Sequence, residues 1–146
     1  MAEAEVDDQV TALLGNADQR YTTGRRRVVA ALQGSDRPLT LTQILESDSS
    51  LSQSSVYRNL TILEEVGAVT RIVTGDDYAR FELAELITGH HHHLICTSCG
   101  DVADFSLDET VESTLDAALH EAAAAAGFTA TGHRLDLLGL CRSCSA

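Results

Sequence analysis

Two CxxC pairs, Cys96-Thr-Ser-Cys99 and Cys141-Arg-Ser-Cys144, constrain this chain more than any other feature. They stand about forty residues apart, and no cysteine lies outside them. Two such knuckles brought together place four thiolates at the corners of a tetrahedron, the closed arrangement of a structural zinc site. That ties strand to strand across the C-terminal half. A thioredoxin-like redox role needs one CxxC beside a βαβ pattern, and here there are two pairs and no such pattern. His90-His91-His92-His93 runs just upstream of the first pair and stays free for a second kind of metal chemistry.

The 146 residues suffice for one domain or two small ones. No stretch approaches the roughly 18 apolar residues of a membrane span. The acidic start lacks the form of a secretory signal. A cytoplasmic location is therefore expected, with reduced thiols and metal favoured over disulfide. Net charge is −12 and lysine is absent, which taken whole argues against nucleic acid. The distribution says otherwise. Between Arg20 and Arg58 six arginines meet only Asp36, Glu46 and Asp48, so this stretch alone can attract phosphate.

The first half reads as helices. Val6 to Leu14 and Thr23 to Leu32 are amphipathic, and the second carries Arg25, Arg26 and Arg27 at its start. Cations there oppose the helix dipole, which points to a partner rather than to stability. Thr40 to Gln43 has the form of a capping box opening a third helix. Ser52 caps a fourth, Gln53 to Val66, stopped by Gly67, which presents Gln53, Ser54, Tyr57, Arg58 and Thr61 on its polar side. Strands follow at Ala68 to Val73 and Ala79 to Leu83, turned by Gly75-Asp76-Asp77. Three helices and a hairpin in this order are a winged helix-turn-helix. The fold class expected is α+β. Residues 1–84 form a winged-helix DNA-binding domain, 85–89 a hinge, and 90–146 an α/β metal-binding dimerisation domain with a four-cysteine zinc site. Strands are expected over His91 to Ile95, Asp101 to Phe105 and His133 to Leu140, with a helix over Asp108 to Ala126. Each half is small for a self-sufficient core, so zinc and a second copy of the chain should complete it.

On a strand, successive side chains face opposite ways. His90 and His92 therefore share one face, His91 and His93 the other, and one run can serve two metal sites. His133 with an acid of the long helix, Glu112 ahead of Glu109 or Asp108, can complete the first. Glu82, at the end of the wing, can join the second. His120, among alanines, is expected exposed and non-ligating.

These pieces resemble the ferric-uptake-regulator (Fur) superfamily of metal-dependent repressors. Ser55-Val-Tyr-Arg-Asn-Leu60, Gly67-Ala-Val69, Arg80-Phe-Glu-Leu83, His90 through Gly100, and Gly132-His133 through Cys141 carry the resemblance, over roughly residues 20 to 144. It implies that the fourth helix enters the major groove. Tyr57 would then contact bases and Arg58 phosphate or a base edge, with Gln53, Ser54 and Ser55 beside them and Arg25 and Arg26 on the backbone. A buried Tyr57 would contradict this. The resemblance also implies structural Zn²⁺ on Cys96, Cys99, Cys141 and Cys144. It implies a regulatory site at Glu82, His91 and His93, and a second site at His90, His92, Glu112 and His133. Counted from Cys96, the family's acid falls at Val111, so Glu112 needs a one-residue insertion.

The chain also departs from the pattern. Pro38 stands where iron-type members carry a ligand before the third helix. Zinc-type members place a cysteine at Glu82 and an acid near Thr70. Zn²⁺, Fe²⁺ and Mn²⁺ all suit oxygen and nitrogen donors, and water, Asp76 or Asp77 could complete the regulatory site. The function expected is a homodimeric, metal-dependent repressor of metal-homeostasis genes, zinc- or iron-sensing, on an A/T-rich palindromic operator. A peroxide-sensing member of the same family is the nearest alternative. A metalloenzyme or a metal buffer is the rival outside DNA binding.

Overall fold

The computed structural model describes residues 2–146. Its elements run α1 (Glu3–Asn16), α2 (Thr23–Gln33), β1 (Leu39–Thr40), α3 (Leu41–Ser47), α4 (Gln53–Glu65), β2 (Val69–Val73), β3 (Ala79–Leu83), α5 (Glu85–Thr88), β4 (His92–Cys96), β5 (Val102–Phe105), α6 (Glu109–Ala125), β6 (Asp136–Gly139) and α7 (Arg142–Ser145). The helix starts follow side-chain chemistry. Thr22 accepts from the Arg25 N–H and Ser52 from the Ser55 N–H, each satisfying one orphan donor of a first turn. At α3, Thr40 Oγ1 accepts from Gln43 N (3.2 Å) while Gln43 Oε1 accepts from Thr40 N (2.8 Å), a complete capping box.

The apolar faces of these helices make one core. Val28, Val29 and Leu32 of α2, Ile44 of α3, and Val56, Leu60 and Leu63 of α4 close on Phe81 and Leu83 of β3. Val6, Val10 and Leu14 bring α1 into the same core. The first sheet has the order β1-β3-β2. Two-residue β1 escapes sequence reading because nothing in Leu39-Thr40 alternates; it exists by pairing with Phe81 and Arg80 of the wing. Within the expected hinge, Glu85–Thr88 coils into a single helical turn whose Ile87 is fully buried in the head's core.

The second sheet has the order β5-β4-β6, with β4 antiparallel to β5 and parallel to β6. A parallel neighbour needs a crossover, which α6 supplies. The last strand is shorter than the sequence suggests: it begins at Asp136, and His133 ahead of it bonds Glu112 and Asp116 of α6. This half has almost no core of its own. Helix α6 buries no residue. Leu137, Leu138 and Leu140 are 57–64% exposed, and Leu94 joins them on the outer face. A contiguous apolar patch of this kind marks an interaction surface.

Thr40→Ala removes the α3 cap and is expected to cost about 1 kcal/mol. Urea unfolding should show a lower midpoint with an unchanged slope.

Candidate metal centres

Strand β4 ends at Cys96, and β6 runs beside it in register, Cys96 opposite Gly139. The Thr97 N–H donates to the Gly139 carbonyl at 2.8 Å and fixes the two knuckles side by side. One sulfur from each of Cys96, Cys99, Cys141 and Cys144 falls within 4.8 Å of the others, and Cys99 and Cys141 Sγ are 3.8 Å apart. A tetrahedron with zinc–sulfur bonds of about 2.3 Å has edges of about 3.8 Å, so the donor set fits that ion. Amide donors are already aimed at sulfur. The Cys99 and Cys141 N–H groups push the Cys96 thiol down to about 6. Cys99 is driven up to about 12, because three neighbouring sulfurs outweigh the Asp101 N–H. Four clustered sulfurs cannot all ionise unaided, and a divalent cation removes that conflict.

The alternation along β4 continues back through residues 90 and 91. On one side, Glu112 Oε1 lies 3.0 Å from His90 Nε2 and 2.7 Å from His133 Nε2, and Glu112 Oε2 lies 2.7 Å from His92 Nε2. The two Nε2 atoms of His90 and His133 face each other at 3.2 Å. Their Nδ1 atoms lie 3.1 Å from Glu85 and 3.2 Å from Asp116. If Nδ1–H donates to those carboxylates, the inward Nε2 atoms are bare lone pairs pointing at one another. A metal cation satisfies such convergence, and outer carboxylates of this kind orient metal-binding imidazoles. The His92 hydrogen bond, first of three from histidine, holds the Glu112 carboxyl below its usual range. Helix α6 thus presents Glu112, not Val111, to this face.

On the other side, His91 Nε2 is 3.0 Å from both oxygens of Glu82, and His93 Nε2 is 2.8 Å from one of them. His91 Nδ1–H donates to the Gly89 carbonyl at 3.0 Å, so Nε2 faces the carboxylate, donating to it when the ring is protonated and offering a lone pair to a metal when it is neutral. Asp104 completes the group, 3.6 Å from His93 and 4.0 Å from His91. The sequence offers water, Asp76 or Asp77 as the fourth donor, and the structure brings neither aspartate into the group. Asp76 is turned away into a bond with Arg80 at 2.9 Å, and Asp77 is exposed. Asp104 sits opposite His93 in the β4–β5 ladder. Its only sequence signal is the hairpin register across the first knuckle. Thr70 lies opposite Glu82 on β2. Burial opposes protonation of His91 and His93, but the Gly89 carbonyl and Glu82 outweigh it at His91, and Glu82 and Asp104 at His93, so both pKa values rise. Burial, then Glu82, pushes Asp104 up as well. Crowded carboxylates and near-buried imidazoles fit a dication.

At the other end of the molecule α4 stands clear. Tyr57 is 60% exposed and reaches no core. Gln53, Ser54 and Arg58 are exposed beside it, while Ser55 Oγ is turned to Asn59 at 3.3 Å. Two of the three arginines of α2, Arg25 and Arg26, are engaged at home. Arg25 bonds the Arg20 carbonyl and Gln19, and Arg26 pairs with Asp7 at 2.8 Å above the Tyr21 ring. On the head, Arg20 and Arg58 have side chains with no such partner among the described residues. His120 is exposed and belongs to no cluster among the described residues; its Nδ1 lies 2.9 Å from the Asp116 carbonyl, one turn back on α6.

A winged helical head joined to a β-rich platform with four-cysteine and His/carboxylate clusters defines a metal-dependent DNA-binding regulator of the dimerising kind. Residues 16–138 match the Ferric uptake regulator family, and the chain belongs to it. It is 30% identical to the peroxide-responsive repressor PerR of Staphylococcus saprophyticus, over 97% of this chain and 93% of that protein. It is 36% identical to the peroxide operon regulator of Bacillus subtilis, over 65% of this chain and 60% of that one. The ferric uptake regulator of Vibrio cholerae shares the structure with a TM-score of 0.70 at 28% identity, covering 90% of this chain and 98% of that one. That of Helicobacter pylori shares the fold with a TM-score of 0.78 at 23% identity, covering 100% and 95%. The chain is therefore a transcriptional repressor and not an enzyme. No helix among the described residues is long and apolar enough to cross a membrane.

Two outcomes test these clusters. Cys96→Ser should release the bound zinc and abolish hydrogen-exchange protection across β4 and β6, because structural zinc contributes on the order of 10 kcal/mol of folding free energy. The pH dependence has a definite sign. Protonated His91 and His93, paired with Glu82, stabilise the metal-free fold. That contribution is whole below about pH 6.5 and is lost as pH climbs through the raised folded values. Metal needs neutral imidazole, so its affinity should rise across the same interval while the melting temperature of the metal-free protein falls.

Proposed function

We propose that the chain is a peroxide-responsive repressor whose corepressor metal, Fe²⁺ or Mn²⁺, is held by Glu82, His91, His93 and Asp104, with Zn²⁺ on the four cysteines. The observation that carries this is the donor set. It is all oxygen and nitrogen, it contains no thiolate, and two carboxylates flank two imidazoles. Such a site suits the harder divalent ions, while the thiolate tetrahedron takes the softer one. The relatives described as peroxide-responsive match along nearly the whole chain and point the same way. Ferrous iron bound there would supply the electrons that cleave peroxide beside His91 and His93, and an imidazole that gains oxygen no longer ligates.

The regulatory logic rests on where the ligands come from. Glu82 belongs to β3 of the head, and His91, His93 and Asp104 belong to the platform. A cation gathering them favours the closed arrangement that presents two copies of α4 to one duplex. A hundredfold gain in operator affinity needs about 2.7 kcal/mol of coupling. The operator proposed is an A/T-rich palindrome read by Tyr57 and Arg58, with Gln53 and Ser54 at the helix start. Arg25 and Arg26 serve as backbone contacts only by exchanging their present partners. The homodimer forms through the apolar outer face of the platform. Leu138→Glu should shift sedimentation toward monomer and weaken palindrome binding.

Direct sensing of metal supply, zinc or iron, is the second reading. The histidine-rich cluster of His90, His92, Glu112 and His133 favours it, because that set suits zinc. One experiment separates the two. Protein loaded with Fe²⁺ is treated with peroxide and its peptides are weighed. Added oxygen on the peptide carrying His91 and His93, with operator release, is the expected result; release without oxidation would transfer the role to metal supply. His91→Ala with His93→Ala should abolish metal dependence, as read by fluorescence anisotropy on the palindrome.

A further inference from the structure

The regulatory ligands are not the only link between head and platform. Arg37, at the end of the α2–β1 connection, crosses to Asp101 just past the first zinc knuckle. One nitrogen of its guanidinium lies 3.1 Å from both carboxylate oxygens. The residues are 64 positions apart in sequence. A second contact lies one residue away. Gly100 is buried, with φ +77, and a Cβ there would collide with the Asp76 carboxylate of the wing. Arg80 Nη2 stands 3.3 Å from the same point. Asp76 is itself locked by Arg80, Thr74 and the Tyr78 N–H. The wing therefore rests on the zinc knuckle through a preformed ion pair, at a place where only glycine leaves room.

We propose that the zinc knuckle doubles as the seat of the DNA-reading head. Arg37 on Asp101, and the Asp76–Arg80 pair on Gly100, position the head before the regulatory site is filled. Just before the third helix the chain has Arg37-Pro38, and the arginine reaches a fixed anion on the platform. Asp76, a candidate ligand by sequence, is committed to the seat instead. The anchor is rigid because Cys96 N–H bonds the Asp101 carbonyl and Gly100 N–H bonds the Cys96 carbonyl, both at 2.9 Å. Asp101 serves the knuckle through its backbone and leaves its side chain to Arg37. Arg37 and Asp101 are each about half exposed, so the tether is modest and yields to salt. It thus biases the head without freezing it, and leaves the metal a range over which to act. Arg37 and Asp101 are positioning residues; neither need touch DNA or metal.

The test uses full-length protein with zinc on the cysteines and the regulatory site stripped, so it does not depend on which metal or oxidant is sensed. Wild type, Arg37→Asp, Asp101→Arg and the double exchange are compared by small-angle scattering and by binding to the A/T-rich palindrome. Each single reversal should enlarge the radius of gyration and weaken binding roughly three- to fivefold, the effect of one exposed ion pair. The double exchange should restore both, and about 1 M salt should erase the differences. Gly100→Asn, which tolerates positive φ, should open the head with zinc retained. Single variants that scatter like wild type, or a double exchange no better than either single, would overturn the proposal. Zinc content measured in every variant separates loss of the seat from loss of the knuckle.

Discussion

The parallel pairing of β4 with β6, closed at its end by four sulfurs, is the constraint on which the rest depends. Without it the C-terminal half has nothing to hold its shape. Its helix buries no residue, and three of its leucines are more than half exposed. Apolar burial cannot hold so thin a layer, so sulfur–metal bonds take the place of a core. That strand carries His92 and His93, and His90 and His91 just ahead of it continue the alternation. A one-residue slip of register would exchange the two ligand sets.

The head and the platform use different physics for different ends. The head is an ordinary apolar core of helices around a wing, and it folds from local signals: caps, amphipathic spacing and a glycine stop. The platform is polar, metal-dependent and unfinished at its outer face. Joining them are groups that respond to solution conditions, namely carboxylates facing imidazoles and an exposed guanidinium–carboxylate pair. Stability is thereby separated from responsiveness.

Charge follows the same division. The molecule is strongly acidic, yet α4 carries no acid between Gln53 and Leu63, and Arg58 has no carboxylate partner among the described residues. Much of the remaining arginine is spent internally, on Asp7, Asp76, Asp101 and Glu64. A head so sparing of free cations gains little from general attraction to the duplex.

Much of this was legible along the chain because it depends on short-range rules. Two CxxC pairs specify a tetrahedron whatever lies between them. Period-two alternation divides His90 and His92 from His91 and His93, and the helix caps at Thr40 and Ser52 follow from hydroxyl chemistry at fixed offsets. Other features belong to tertiary structure because they join residues with no sequence relation. Asp104 becomes a neighbour of His93 only through the β4–β5 register. Two-residue β1 exists only because β3 is there to pair with. Arg37 finds Asp101, and the Asp76–Arg80 pair meets Gly100, only once head and platform pack together. Ligand types and their spacing are local properties of a chain, whereas the partner across a ladder or a domain boundary is selected by how the whole chain packs.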